Sequence, residues 1–329
     1  MFRSKRRPEP APASALPAAA QAEQLLGRLE WTVLKRLSGL LEGEYRTLFR
    51  GNGLDLADLR EYQLHDDVRH IDWNVTARLQ QPHVRQFQQD RELAAWFLVD
   101  VSASIDFGSG AQRKQDVLLG FIAVVARLLA GHGNRVGLVV YDRDIEAVLP
   151  PKSGRAQVLQ LLHLLMNRPE RPPPARRRRG EPPPRGTDLA PLLLRAGGLL
   201  QRRSLVFLVS DFQSGPGWTE PLGRLAQRHE VLAVRLSDPL ERSLPSLGLV
   251  LLQDAETGEQ TLVDTADKRF RRRFEDAVAR REAELQLAFA DAGVDAFELA
   301  TDDDLLLALR RFMALRRLRQ RRAGAMRTA

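Results

Sequence analysis

Three separated points of the chain carry oxygen-bearing side chains in a pattern that could hold a hard cation. Asp100-Val101-Ser102-Ala103-Ser104 follows one apolar run, Gly186-Thr187-Asp188 precedes a helical pattern, and Ser210-Asp211 follows a second apolar run. Asp100, Ser102, Ser104, Thr187 and Asp211 supply two carboxylates and three hydroxyls. Hard oxygen ligands, few in number and completed by water, suit Mg2+ or Mn2+. The alternation in Asp-x-Ser-x-Ser lets one turn present three oxygens to one side. Two carboxylates roughly balance a divalent charge, so the cation stays electrophilic and an open position can accept a carboxylate from a partner. Each segment alone also has a plainer reading, because Ser, Thr and Asp at strand-to-helix junctions cap helices.

The elements that must position these residues follow from hydrophobic periodicity. Residues 94–99, 136–141, 204–209 and 230–236 are short continuous apolar runs, as in strands buried on both faces. Residues 145–149 return after Asp142-Arg143-Asp144 by a hairpin, which makes an antiparallel edge. Helical patterns occupy 114–130, 156–166, 189–202, 221–229 and a long basic stretch, 268–292. A hairpin is expected where 247–253 and 260–263 flank Glu256-Thr257-Gly258-Glu259. A strand at 295–299 precedes a terminal helix at 302–322, with Asp302, Asp303 and Asp304 at its start and arginines at its end, as the helix dipole favours. Such alternation implies the α/β class, with a mostly parallel sheet and helices on both faces. Ligands of open parallel sheets bind beyond the carboxyl ends of the strands, and all three oxygen-bearing segments fall at that edge.

The chain divides into a Pro/Ala-rich disordered tail (1–20), an amphipathic helix (21–43), a small irregular β-rich module (44–92), the main domain (93–300), and a C-terminal helix with a basic tail (301–329). Within the module, 82–87 reads as a short strand and Trp73 as a core anchor. Its charged block, 66–74, reads as an ion-pair network in which Arg69, Arg78 and Arg85 face Asp66, Asp67 and Asp72. Residues 168–185, rich in Pro and Arg and including Arg176–Arg179, read as an exposed, mobile loop. There is no internal repeat.

Composition narrows the function classes. At 329 residues and 43% hydrophobic, the chain can build a sizeable core. The absence of cysteine excludes disulfides, thiolate metal sites and cysteine nucleophiles. The net charge of +8 comes from 45 Arg and 5 Lys scattered among 42 acidic residues, which fits arginine-rich composition better than a nucleic-acid or membrane surface. No stretch approaches the roughly 20 apolar residues of a membrane span, and the N-terminus lacks the apolar segment of a signal peptide, so a soluble cytoplasmic protein is expected. A haloacid-dehalogenase-type phosphatase would carry a second Asp at position 102, where this chain has Ser102. There is no Gly-x-Ser-x-Gly elbow, and Lys152-Ser153 lacks the glycines of a phosphate-binding loop. His65, His70 and His83 have no evident partner set. No catalytic residue is assigned. The alternatives are a metal-dependent phosphoester hydrolase, for which no base is evident, and a nucleic-acid-binding protein using Arg176–Arg179, which lacks interleaved aromatics.

Asp100-x-Ser102-x-Ser104, then Thr187, then Asp211 resembles the metal-ion-dependent adhesion site of von Willebrand factor A domains. More specifically, the chain resembles the bacterial family known as domain of unknown function fifty-eight. Leu59-Arg60-Glu61-Tyr62, Asp66-Asp67-Val68-Arg69-His70-Ile71-Asp72-Trp73-Asn74, Thr76-Ala77-Arg78, Val84-Arg85-Gln86-Phe87 and Arg91-Glu92-Leu93 carry this likeness. Pro150-Pro151, Ser153-Gly154-Arg155, Asp238-Pro239, Glu241, Asp254 and Glu256-Thr257-Gly258 carry it further, so that it spans residues 42–312. Two positions depart: His65 stands where the family often has Gly, and Ile105 where it often has Met. The resemblance implies a von Willebrand factor A-like (Rossmann-like) fold whose Asp100, Ser102, Ser104, Thr187 and Asp211 bind Mg2+ or Mn2+. It also implies a non-catalytic adaptor that works with a MoxR-type AAA+ ATPase in the assembly or activation of clients, gripping an acidic residue of a protein partner.

Overall fold

Continuous apolar runs build the centre of the molecule. The computed structural model describes residues 18–29, 58–62, 73–86, 94–168, 186–312 and 314. Four elements precede the main body: α1 (Ala18–Leu29), β1 (Asp58–Glu61), α2 (Trp73–Leu79) and β2 (His83–Gln86). The main body runs β3 (Ala94–Asp100), α3 (Lys114–Gly131), β4 (Arg135–Tyr141), β5 (Ile145–Lys152), α4 (Arg155–Met166), α5 (Ala190–Leu199) and β6 (Leu205–Ser210). It continues through α6 (Thr219–Arg228), β7 (Glu230–Ser237), the single turn α7 (Pro239–Arg242), β8 (Leu249–Gln253), β9 (Gln260–Asp264), α8 (Lys268–Asp291) and β10 (Asp295–Ala300). A last helix, α9, covers 305–312.

Six strands form one sheet in the order β10–β7–β6–β3–β4–β5. All neighbours are parallel except β5, which returns antiparallel along β4 as the edge strand. This is the mostly parallel, helix-flanked α/β architecture that the alternating pattern predicts. Side chains of a strand point alternately to opposite faces, and β3 divides accordingly. Ala95, Phe97 and Val99 join one cluster with α1, α3, α4 and α9. Trp96 and Leu98 face a second cluster with α5, α6 and α8. Phe97 stacks on Phe207 of β6, ring centroids 5.0 Å apart. Gly137 of β4 lies at a register irregularity against β5, where an added Cβ would sit 3.0 Å from the Leu149 carbonyl and from the Trp96 ring. Close approach of the edge strand therefore requires glycine there.

In the N-terminal region β1 and β2 pair antiparallel, with the helix α2 between them; one residue there differs from expectation. Trp73 is 70% exposed and does not anchor a core. It opens a helix of seven residues, about two turns, and its ring lies on the solvent side of that helix. His83 contacts the Gln81 carbonyl through Nδ1 at 2.8 Å. His65, His70, Arg69 and its expected partners Asp66, Asp67 and Asp72, the loop 169–185 with Arg176–Arg179, the tail 1–17 and most of the basic C-terminus lie outside the described residues. No helix among the described residues is long and apolar enough to cross a membrane.

The expected helix over 21–43 is described only as α1, and α1 docks on the main body against α3 and α4. Ala22 and Leu26 on its inner face are fully buried. Leu26→Ala should therefore lower stability by about 2–5 kcal/mol, the usual range for truncating a buried leucine. Urea unfolding monitored by circular dichroism measures this, and a change within error would mean that α1 does not belong to the cooperative unit.

Candidate functional site

The carboxyl ends of β3 and β6, the two central strands, set the site. Asp100 ends β3, and Ser210 ends β6 beside it. Asp100 is 2% exposed. Its Oδ1 accepts from the Ser102 backbone N at 2.9 Å and its Oδ2 from the Ser210 hydroxyl at 2.6 Å. A 3-10 turn over Ala103–Asp106 follows, and Ser102, which precedes it, makes no side-chain cap bond. The Ser102 and Ser104 hydroxyls instead lie 3.1 Å apart, both buried. The alternation in Asp-x-Ser-x-Ser thus gathers its oxygens on one side.

Two more loops close on this turn. Thr187 is buried, and the neighbouring Asp188, not Thr187, accepts the backbone N–H of Ala190 at the start of α5, at 2.9 Å. The Thr187 backbone carbonyl accepts from Gly215 at 3.2 Å, and the Leu189 N–H donates to Ser214 Oγ at 3.0 Å. These bonds stitch the Thr187 loop to the one that carries Asp211. The hydroxyl of Tyr141, at the end of β4, donates to the Asp188 carbonyl at 2.6 Å and fixes the same segment from the other side. Asp211 is held by an unusual residue after it. Phe212 has φ 56°, a left-handed conformation that costs a non-glycine residue about 1–3 kcal/mol. Two things hold it there: its N–H donates to Ser210 Oγ at 2.9 Å, and its buried ring packs 5.5 Å from Trp218 and 4.9 Å from Phe289.

The electrostatics are dominated by buried carboxylate. Burial pushes the Asp100 carboxyl up to about 7, and the neighbouring Asp211 charge pushes the same way, against the hydrogen bonds from Ser210 and Ser102. Asp211 has a partner in Lys114, the first residue of α3. The ammonium is completely buried and lies 2.9 Å from Asp211 Oδ2 and 2.5 Å from Glu241 Oε1. Asp211 Oδ1 accepts from the Gln213 N–H at 3.0 Å, a local turn bond. A fourth carboxylate arrives from outside the sheet. Glu256, in the turn of the β8–β9 hairpin, accepts from the Ser104 backbone N–H and from the Thr187 hydroxyl, each at 3.2 Å. Asp100 and Glu256 form no ion pair among the described residues.

A further buried carboxylate braces this edge. Asp238, after β7, is completely buried and accepts from Ser109 N at 2.9 Å, Ser109 Oγ at 2.6 Å, Thr301 Oγ1 at 2.7 Å and Leu240 N at 3.0 Å. Its own N–H donates to Glu241 Oε2 at 3.0 Å, so the same glutamate meets Lys114 and Asp238. Burial alone would raise the Asp238 carboxyl, but these hydrogen bonds outweigh it and hold it below the usual carboxylate value.

Asp100, Ser102, Ser104, Thr187 and Asp211 are therefore brought to one edge, linked through Ser210, Glu256 and the Asp100–Asp211 interaction. Sequence reading missed Ser210, Lys114, Glu241 and Glu256 as members of this set. Among the described residues, no group of three or more His, Cys, Asp or Glu side chains is placed to hold a metal. A cation here would rest on two carboxylates and complete its shell with hydroxyls and water, the donor set suited to a hard ion.

Lys114→Met leaves Asp211 buried without its ammonium and should lower stability by about 3–5 kcal/mol, read by urea unfolding; a near-neutral result would mean that the pair is not formed. Asp238→Asn should lower stability at neutral pH by about 1–3 kcal/mol, because its amide cannot accept at the position where Ser109 and Thr301 both donate. A carboxyl held low contributes stability that is complete above its unfolded value and is lost as pH falls through the folded one. The gap between wild type and Asp238→Asn should thus narrow below about pH 4, and a gap that is constant down to acid unfolding would contradict the assignment.

Comparison with known proteins finds relatives that match most of the chain. Uncharacterized proteins of Mycobacterium bovis and Mycobacterium tuberculosis are each 37% identical over 294 residues, covering 89% of this chain and 89% of theirs. Among solved structures, the conserved hypothetical protein BatB from Bacteroides thetaiotaomicron is 12% identical with a TM-score of 0.41, covering 68% of this chain and 98% of that one. The family described as "Protein of unknown function DUF58" matches residues 58–284, more than half of the chain. With that match and the mycobacterial relatives together, the chain belongs to the DUF58 family.

Proposed function

We propose that the carboxyl edge of the sheet is a metal-ion-dependent adhesion site, and that the protein is a non-catalytic, metal-dependent protein–protein interaction module. The observation that carries this reading is the convergence of five buried oxygen-bearing side chains from three separated loops on one edge, with Ser102 and Thr187 free of helix-capping duty. The residues fit a divalent ion of the Mg2+ or Mn2+ type. Asp100 and Asp211 would supply the charge, and Ser102, Ser104 and Thr187 neutral oxygens. A dication would also relieve the two effects that drive the Asp100 carboxyl upward, its burial and the nearby Asp211 charge. When bound, such an ion supplies an electrophilic position for a carboxylate. The chain's own residues orient the oxygens, and the Ser210 and Ser102 hydrogen bonds fix the Asp100 carboxylate plane.

The partner is inferred from the chemistry and the family resemblance: a protein presenting an acidic residue, with a MoxR-type AAA+ ATPase or its client as the expected source. The adaptor role is preferred to phosphoester hydrolysis because position 102 is a serine and no second aspartate stands there to act as general acid.

Capture of partners from the native cell should depend on Mg2+, disappear with chelator and return when the ion is restored. Asp100→Ala should lose both metal binding by calorimetry and metal-dependent capture while keeping the wild-type circular dichroism. An Asp100→Ala protein that captures the same partners as wild type would refute the mechanism. Turnover of a generic phosphoester that vanishes in this variant would refute the non-catalytic assignment.

A further inference from the structure

The β8–β9 hairpin turns its larger apolar residues the wrong way for a strand pair packed on a domain. Among the described residues its strands pair only with each other, from Leu249↔Asp264 to Gln253↔Gln260. Residues directly opposite in an antiparallel pair point to the same face, and successive residues to opposite faces. Leu249, Leu251 and Leu262 therefore share one face, and Val250 and Val263 the other. The valines are half-buried, whereas the three leucines are 70%, 58% and 64% exposed, and Leu247 at the base is 69% exposed. A hairpin packed on one side normally shows polar residues to water; this one shows leucine. It is also held at both ends. At the base the Leu247 N–H donates to Thr265 Oγ1 at 3.0 Å, the Thr265 N–H donates to the Gly248 carbonyl at 2.8 Å, and the Arg271 guanidinium of α8 donates to the Thr265 carbonyl. At the turn, Glu256 accepts from the Ser104 N–H and the Thr187 hydroxyl. The leucine face is thus presented in a fixed orientation, with its far end tied to the candidate site.

We propose that this face is a docking surface for an acidic amphipathic segment of a protein partner, whose apolar residues cover the leucines and whose carboxylates meet the cations that open α8. The inference deepens the protein-binding reading given above and rests on it for the class of partner. Charge selects an acidic occupant. Lys268, Arg269, Arg272 and Arg273 are exposed and make no ion pair among the described residues. They outnumber the neighbouring Asp264 and Asp267, whose carboxylates accept from the backbone N–H groups of Ala266 at 2.9 Å and Arg269 at 2.8 Å. A second copy of the chain would bring the same cations against these. Four leucines also form a patch of only a few hundred Å2, below the about 800 Å2 that each partner gives a stable interface. A partner that reaches the adjoining candidate site as well gains the missing area. The turn argues against a membrane. A hairpin that enters a bilayer leads with apolar residues, whereas Asp254, Glu256 and Glu259 lead here, and an anionic surface repels them.

The test uses the full-length protein in chelator, so that no divalent ion contributes. The probe is a synthetic amphipathic peptide of leucine and glutamate, and a leucine–lysine peptide of the same pattern is the control. Affinity is measured by fluorescence anisotropy. Wild type should bind the glutamate peptide and not the lysine one, more weakly as salt rises. Leu249→Ser with Leu251→Ser, and separately Arg272→Glu with Arg273→Glu, should each weaken that binding by about tenfold. Circular dichroism should stay that of wild type, because all four side chains are exposed. Amides 249–253 and 260–264 should gain protection from hydrogen exchange when the peptide binds. Equal binding of both peptides, no binding to wild type, or an unchanged affinity in either double variant would overturn the assignment. So would leucine-dependent binding to phosphatidylserine vesicles without peptide binding, which makes the face a membrane contact. Sedimentation as a dimer that the Leu249→Ser, Leu251→Ser protein loses would overturn it in favour of a second copy. Each of these results leaves the metal-dependent capture described above untouched, and a failure of that capture leaves the peptide result untouched, so the two readings fail separately.

Discussion

Negative charge buried at the ends of the two central strands is the constraint that organises this fold. Asp100 is 2% exposed and Asp211 5% exposed, on strands that neighbour each other in the sheet. Removing a carboxylate from water costs several kcal/mol unless charge and hydrogen bonds replace the water. The replacement here is partial. Asp211 receives the Lys114 ammonium, while Asp100 receives a hydroxyl and a backbone N–H and, among the described residues, no ion pair. A sheet selected for stability alone would end these strands with neutral residues. Keeping two buried acids, one of them with no ion pair among the described residues, is the kind of local cost that folds retain at sites where something binds.

That cost is contained by a bracing network that runs along the carboxyl edge from β3 to β10. Lys114 opens α3 and joins Asp211 to Glu241; Glu241 forms the capping pair with Asp238; Asp238 gathers Ser109 from the loop after β3 and Thr301 from the end of β10. The loops that carry the candidate ligands are therefore tied to both central and outer strands. On the opposite side of Asp211, the left-handed backbone of Phe212 is held by an aromatic cluster with Trp218 and Phe289. A binding site placed on loops is only as well defined as the shell supporting it, and here the support comes from buried ion pairs and hydrogen bonds on one flank and packed rings on the other.

How much of this could be read from residues alone follows from the range of the interactions. The strands were legible because their apolar runs are continuous, the signature of burial on both faces. The edge position of Asp100, Ser102, Ser104 and Asp211 was legible because they follow those runs, and that of Thr187 because it precedes a helix on a loop crossing the same edge. Lys114 was not, since a lysine at a helix start normally faces water and nothing local says that it lies under Asp211. Glu256 was legible only as part of a hairpin turn. Its approach to Ser104 joins residues 152 apart in sequence, and hairpin periodicity carries no information about where the hairpin leans. Trp73 failed for the converse reason: bulk and hydrophobicity suggest an anchor, but the face that a short helix turns inward is set by contacts distant in sequence, and here the ring is 70% exposed.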